Sequence, residues 1–216
     1  TGIQPVPEIA IIEAKKEVIK MSKLMHKMLH LFNETFENKK NISKFIPKAK
    51  KYEIKSDQMQ EQISTYISEC TKHELSFESS KLASAMIRLT NELESVGDST
   101  LNLFLQIERL ENDIQFTDEM NKEIIKIYTE VNDFFEWNNL FISDNIKSMS
   151  KKELDKSINF ERTIDDSRNK LLESSRIRLI NGSIPKAELL FMDIIKHLEH
   201  IGDYSLNISQ ALEQID

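Results

Sequence analysis

Ten polar side chains carry the chemistry this sequence could perform. Glu94, Asp98 and Asn102 fall at i, i+4 and i+8, and Glu199, Asp203 and Asn207 repeat them 105 positions later. On an α-helix each set forms one stripe. Two further pairs, Glu53 with Asp57 and Glu161 with Asp165, keep the four-residue spacing at an offset of 108. Carboxylates gathered from two helices repel one another. Unit charges about 4 Å apart at an effective dielectric near 20 interact by roughly 4 kcal/mol. A converged cluster therefore calls for a cation, basic side chains or open solvent to neutralise it. Oxygen-only ligation favours hard ions such as Mg²⁺, Ca²⁺, Mn²⁺ or iron over a Cys-bound zinc. The competing reading is an ordinary solvated face of an acidic helical protein.

Other chemistries are poorly provided for. The five histidines (26, 30, 73, 197 and 200) have no Glu three residues earlier, so the Glu-x-x-His pattern of a catalytic di-iron bundle is missing. His26 and His30 stand at i, i+4, a spacing that can clamp a metal, but no acid sits between them and they read as surface histidines. Cys70 is the single cysteine. It permits no internal disulfide, fits a reducing compartment, and continues an apolar pattern as a core residue. No phosphate-cradling glycine loop, Ser/His/Asp set or Cys/His pair is present, and no enzyme is expected. A net charge of −7 argues against nucleic acid as partner.

The elements that must position these residues are helices. With 216 residues, 39% hydrophobic, and only four Gly and four Pro, the chain reads as long helices with short connections around a substantial core. Opposite the first acidic stripe runs a seam spaced alternately by three and four residues, from Leu82 through Met86, Leu89, Leu93, Val96 and Thr100 to Leu110. Adding 105 to each number yields a second seam, Ala187 to Ile215. Gly97 and Gly202 occupy the same place in both. A mid-helix glycine costs about 1 kcal/mol relative to Ala, so either helix packing or a ligand must come close there.

Residues 1–7 read as a linker. Helices are expected over about 8–37, 48–72, 76–113, 118–147, 150–180 and from Pro185 to the end. The Met21, Met25 and Met28 cluster reads as adaptable core filling. Tyr52, Met59, Ile63, Tyr66 and Cys70 should point inward. Ser150 with Glu153 reads as a capping box, and Asn181-Gly182 as a helix stop. Lysines 39, 40, 44, 48, 50, 51 and 55 gather around the connection broken by Pro47, so this end should be locally basic, either facing an anionic surface such as a membrane or forming a solvated loop. The matched motifs predict a duplicated three-helix unit, residues 8–113 and 118–216, giving an all-α protein of two tandem antiparallel three-helix bundles set in line. There is no transmembrane helix or signal peptide. The first residue is not Met, and the chain reads as a piece of a longer protein.

The doubled motif, Leu93-Glu94-Ser95-Val96-Gly97-Asp98-Ser99-Thr100-Leu101-Asn102-Leu103 and Leu198-Glu199-His200-Ile201-Gly202-Asp203-Tyr204-Ser205-Leu206-Asn207-Ile208, resembles the PhoU family signature Leu-Glu-Arg-Ile-Gly-Asp-His-Ala-x-Asn-Ile. The acidic and glycine positions are kept. The family's Arg is replaced by Ser95 and His200, and its His by Ser99 and Tyr204. The resemblance implies a six-helix PhoU architecture. It also implies metal ions on Glu53, Asp57, Glu94, Asp98 and Asn102 in one half, and on Glu161, Asp165, Glu199, Asp203 and Asn207 in the other; some members hold multinuclear iron or zinc clusters. It implies, further, a non-enzymatic regulatory module of phosphate uptake, cytoplasmic or at the cytoplasmic face of the membrane. The implied partners are a phosphate transporter and a sensor kinase, and a homo-oligomer is compatible. Ala14-Lys15-Lys16-Glu17-Val18-Ile19-Lys20-Met21 looks like the A-x-K-E-x-x-x-M opening of the cytoplasmic tail of sodium/phosphate cotransporters, so the transporter could belong to the same chain. The rival reading is a helical adaptor or scaffold with no metal-dependent role.

Overall fold

The computed structural model describes residues 7–37, 42–110 and 115–215. Six helices make up the fold: α1 (Pro7–Glu37), α2 (Ile42–Cys70), α3 (Phe77–Glu108), α4 (Asp118–Ile142), α5 (Lys151–Ile180) and α6 (Pro185–Glu213). The described residues contain no strand. α1, α2 and α3 pack mutually, as do α4, α5 and α6 in the second half except for lighter contact between α4 and α5.

The two sets lie side by side, not in line. α3 packs against α6 more extensively than any other pair of helices, and α1 also touches α4. Both contacts run antiparallel. Arg88 donates to Gln210 at 2.8 Å while Asn207 donates to Glu92 at 3.0 Å. On the other seam Ser22 donates to Asn139 at 2.7 Å and the Tyr128 hydroxyl donates to the Leu29 carbonyl at 3.2 Å. The reason is apolar supply: both central helices are buried on more than the seam alone, with Phe104 and Ile195 fully enclosed beside it. A side-by-side arrangement encloses that extra surface.

The expected core is in place. Met86, Leu89, Leu93, Val96, Leu103 and Ile107 are buried on α3, and Phe191, Ile194, Leu198, Ile201, Ile208 and Leu212 on α6. Met21, Met25 and Met28 fill the space between helices, and Cys70 is buried. Tyr66, expected inward, is 39% exposed.

Helix ends follow local chemistry. Ser150 and Glu153 form the reciprocal capping box. At the end of α5, Gly182 adopts φ 91°, the Ser183 amide donates to the Arg178 carbonyl and the Gly182 amide to that of Leu179. This is a Schellman closure, and it needs a residue free to take positive φ. Pro185 opens α6, with Ile184 as its N-cap. Ser183 donates to Glu188. Glu188 is fully buried and also receives Ser175 and Arg178, a polar knot that ties α5 to α6.

Three boundaries differ from expectation, the first being the end of α3, which stops at Glu108 with Arg109 as its C-cap and not near 113. α2 begins at Ile42, before Pro47. Pro47 is the sixth residue of α2 and forfeits the one intrahelical bond its amide would have made, a loss that buried Ile46 and Ala49 offset by anchoring the segment. The basic stretch is therefore largely helical: Lys44, Lys48, Lys50, Lys51 and Lys55 are exposed on α2. Lys39 and Lys40, like residues 1–6 of the expected linker, lie outside the described residues. α4 ends at Ile142, and residues 143–150 cross as a loop pinned by buried Ile146 and Met149.

Candidate metal centres

The glycines explain how the acids meet. A Cβ on Gly97 would stand 2.9 Å from Ser56 Oγ and 3.0 Å from Met25 Sδ. Ser56 is buried on α2 between Glu53 and Asp57. The absent side chain lets α3 close on α2 and carries Asp98 up to that pair. Oxygens of Glu53, Asp57 and Asp98 consequently lie within 4.8 Å of one another. In the second half a Cβ on Gly202 would stand 3.1 Å from Ile164 Cδ1, and Ile164 sits between Glu161 and Asp165. Both glycines are packing glycines, but among the described residues only the first-half acids bring three carboxylates within 4.8 Å; Glu161, Asp165, Glu199 and Asp203 form no such group.

Electrostatically the two clusters differ. In the first, burial followed by the charges of Asp57 and Asp98 raises Glu53, and burial followed by Asp57 raises Asp98. Glu94 is pushed up to about 6, by burial first and then by Asp98 and Asp57. Its carboxylate accepts from Ser95 at 3.3 Å. None of the four acids forms an ion pair among the described residues. Asn102 spends its amide on the Asp98 carbonyl of its own helix, 3.0 Å away.

In the second cluster a cation is built in. Arg168 on α5 reaches Glu199 at 2.8 Å and Asp165 at 3.6 Å, and His200 stands 3.8 Å from Glu199. Burial still raises Glu161 and Asp203, but Arg168 and His200 oppose the shift at Asp203. Asn207 gives its amide to Glu92 across the α3–α6 contact. The sequence carried a signal for this. Arg168 follows Asp165 by three residues, on the face of the acidic pair, whereas the equivalent first-half position is the neutral Gln60, which donates to Asn91 at 2.8 Å. The family's Arg is lost from its usual place, but in this half another Arg neutralises the acids from the neighbouring helix.

A further constellation joins α1 to α4. His26, His30 and Glu136 bring ligand atoms within 4.8 Å, so the two histidines are not simply surface residues: the acid that sequence reading sought between them comes from α4.

The fold is that of PhoU proteins. The structure superposes on the phosphate transport system regulatory protein PhoU from Streptococcus pneumoniae with a TM-score of 0.81 at 13% identity, covering 97% of this chain and 96% of that one. It superposes on PhoU from Pseudomonas aeruginosa with a TM-score of 0.84 at 14% identity, covering 96% and 97%. Residues 119–212 match the PhoU domain model. The chain thus has the PhoU fold throughout, and its second half is similar to the PhoU domain. No curated protein matches it in sequence. Among the described residues no helix is long and apolar enough to cross a membrane.

Proposed function

We propose that the protein is a non-catalytic regulatory module of phosphate uptake, acting at the cytoplasmic face of a membrane phosphate transporter. The observation that supports this most is the agreement with PhoU structures over nearly the full length of both chains, together with the PhoU domain match. The two halves are read as copies of one three-helix unit. The transporter is either a separate protein or part of the same polypeptide, as the helix-1 likeness to cotransporter tails suggests, and a sensor kinase is a further candidate partner.

Within this reading the first acidic cluster fits a divalent or iron cation. Three carboxylates from two helices converge, no basic side chain among the described residues pairs with them, and Glu94 beside them resists ionisation. Glu53, Asp57 and Asp98 would hold the ion, with Glu94 as an added ligand. Bound there, the ion supplies positive charge that ties α2 to α3. The second cluster fits a cation less well, since Arg168 already takes that role.

The partner reading is tested by capture. Affinity-tagged protein cross-linked in membranes from phosphate-replete cells should retain components of a phosphate transporter. Recovery of no transporter component would contradict it.

A further inference from the structure

His26 and His30 lie one turn apart on α1, with both Nε2 atoms 3.1 Å from each other and the rings edge to face. Glu136 of α4 brings a carboxylate oxygen into direct contact with His26 Nε2 and within 3.7 Å of His30 Nε2. Three potential ligand atoms thus converge from two helices belonging to different halves of the chain. All three side chains are partly exposed, with His30 the most open at 51%, so an ion could reach them.

We propose that His26, His30 and Glu136 form a binding site for a borderline transition-metal ion, Zn²⁺ or a similar divalent cation, that staples α1 to α4. The donor set is the first argument. Two neutral imidazoles and one carboxylate suit Zn²⁺, Co²⁺, Ni²⁺ or Cu²⁺ in preference to the hard ions that an oxygen-only cluster selects. Histidines at i, i+4 present both rings on one helix face, as zinc-binding helices do. Spacing is the second argument. A tetrahedral ion with ligand bonds of about 2.0–2.1 Å separates its donors by roughly 3.4 Å; the 3.1 and 3.7 Å separations from His30 bracket that value, whereas His26 Nε2 and the Glu136 carboxylate touch directly and must part to admit the ion. Surroundings are the third. Asn139, Leu140 and Ser143 line a hollow of about 280 Å³ beside His26 and Glu136, which leaves room for water in a fourth position. Lys23 also lines it, so the hollow carries one opposing charge.

The consequence lies in the architecture. The α1–α4 contact is the slighter of the two junctions between the halves. Apart from this cluster, the hydrogen bonds across it among the described residues are those from Ser22 and Tyr128, with the Phe32 ring packed beside Tyr128. Metal at this place fixes the relative position of the halves independently of the acidic clusters.

Co²⁺ titration of the metal-stripped full chain tests the proposal. Wild type should develop the intense visible absorption of a four-coordinate Co²⁺ site at one equivalent, and added Zn²⁺ should abolish it. His26→Gln with His30→Gln should lose the band while retaining wild-type helicity, and Glu136→Gln should weaken binding. Asp57→Asn with Asp98→Asn should leave the band intact, which separates this site from the acidic cluster and from the regulatory reading. Absence of the band in wild type would overturn the proposal, as would its persistence in the double histidine variant. Loss of the band in the aspartate variant would likewise overturn it.

Discussion

Gly97 on α3 faces Ser56 on α2 so closely that a Cβ on the glycine would stand 2.9 Å from the serine hydroxyl oxygen. The contact sets the interhelical distance at which Asp98 meets Glu53 and Asp57. Gly97→Ala would gain about 1 kcal/mol of helix propensity, whereas overpacking a buried contact costs about 1–3 kcal/mol, so the packing term decides the sign. The thermal midpoint should fall. Gly202→Ala should cost more, because the β-branched Ile164 that it meets at 3.1 Å has little rotamer freedom. A pair of alanine variants as stable as wild type would show that the helices can separate freely.

The raised Glu94 makes stability depend on pH in a definite direction. Its proton is held more tightly in the folded chain than in the unfolded one. The contribution is therefore complete below the ordinary value of 4.5 and is lost as pH rises through about 6. Glu94→Gln should accordingly raise the melting temperature near neutral pH and change it little near pH 4. A divalent ion should narrow the difference at neutral pH, because binding favours the ionised acid. Equal effects of the substitution at both pH values would argue against the crowded-carboxylate picture.

The contrast between the two clusters gives a third expectation. Arg168 neutralises Glu199 and Asp165 where Gln60 leaves the first cluster bare. Arg168→Gln should give the second half a need for cations, adding one Mn²⁺ equivalent in calorimetry of the chelator-treated protein. Gln60→Arg should do the reverse and suppress binding at the first cluster. Unchanged stoichiometry in both variants would show that the arginine is not standing in for an ion.

Much of this was legible in the sequence, and the residues show why. The three-and-four spacing of the seams fixed which faces of α3 and α6 are buried, and the matched glycines marked where two helices approach. Ser150-x-x-Glu153 and Asn181-Gly182 marked helix ends because capping and positive φ are local requirements. What stayed hidden depends on distant parts of the chain. Glu136 lies 110 positions from His26, and no spacing rule connects them. The side-by-side packing likewise rests on pairs such as Arg88 with Gln210 and Glu92 with Asn207, which meet only when the halves fold together. Arg168 is an intermediate case, visible at i+3 from Asp165 yet meaningful only once α6 places Glu199 beside it. The start of α2 was obscured by Pro47, since a proline near a helix end and one that breaks a helix look alike in sequence.

The basic surface of α2 bears on where the protein docks. Lys44, Lys48, Lys51 and Lys55 fall at i, i+4, i+7 and i+11, one exposed stripe along the helix. Against an anionic membrane each lysine contributes about 1 kcal/mol, fading within a Debye length. Replacing the four with Gln should weaken co-sedimentation with phosphatidylserine vesicles, and high salt should have the same effect on wild type. Equal sedimentation of variant and wild type, or none by either, would contradict a membrane-facing role for this stripe.

Uptake of radiolabelled phosphate by phosphate-replete cells tests the regulatory reading most directly. The measurement compares the parent strain, a deletion of the gene, and the deletion carrying either wild type or Asp57→Asn with Asp98→Asn. If the protein regulates uptake through the α2–α3 cluster, the deletion should take up phosphate without restraint. Wild type should restore the parental rate, and the double aspartate variant, folded and expressed, should fail to do so. Identical uptake in the parent and the deletion would contradict the account.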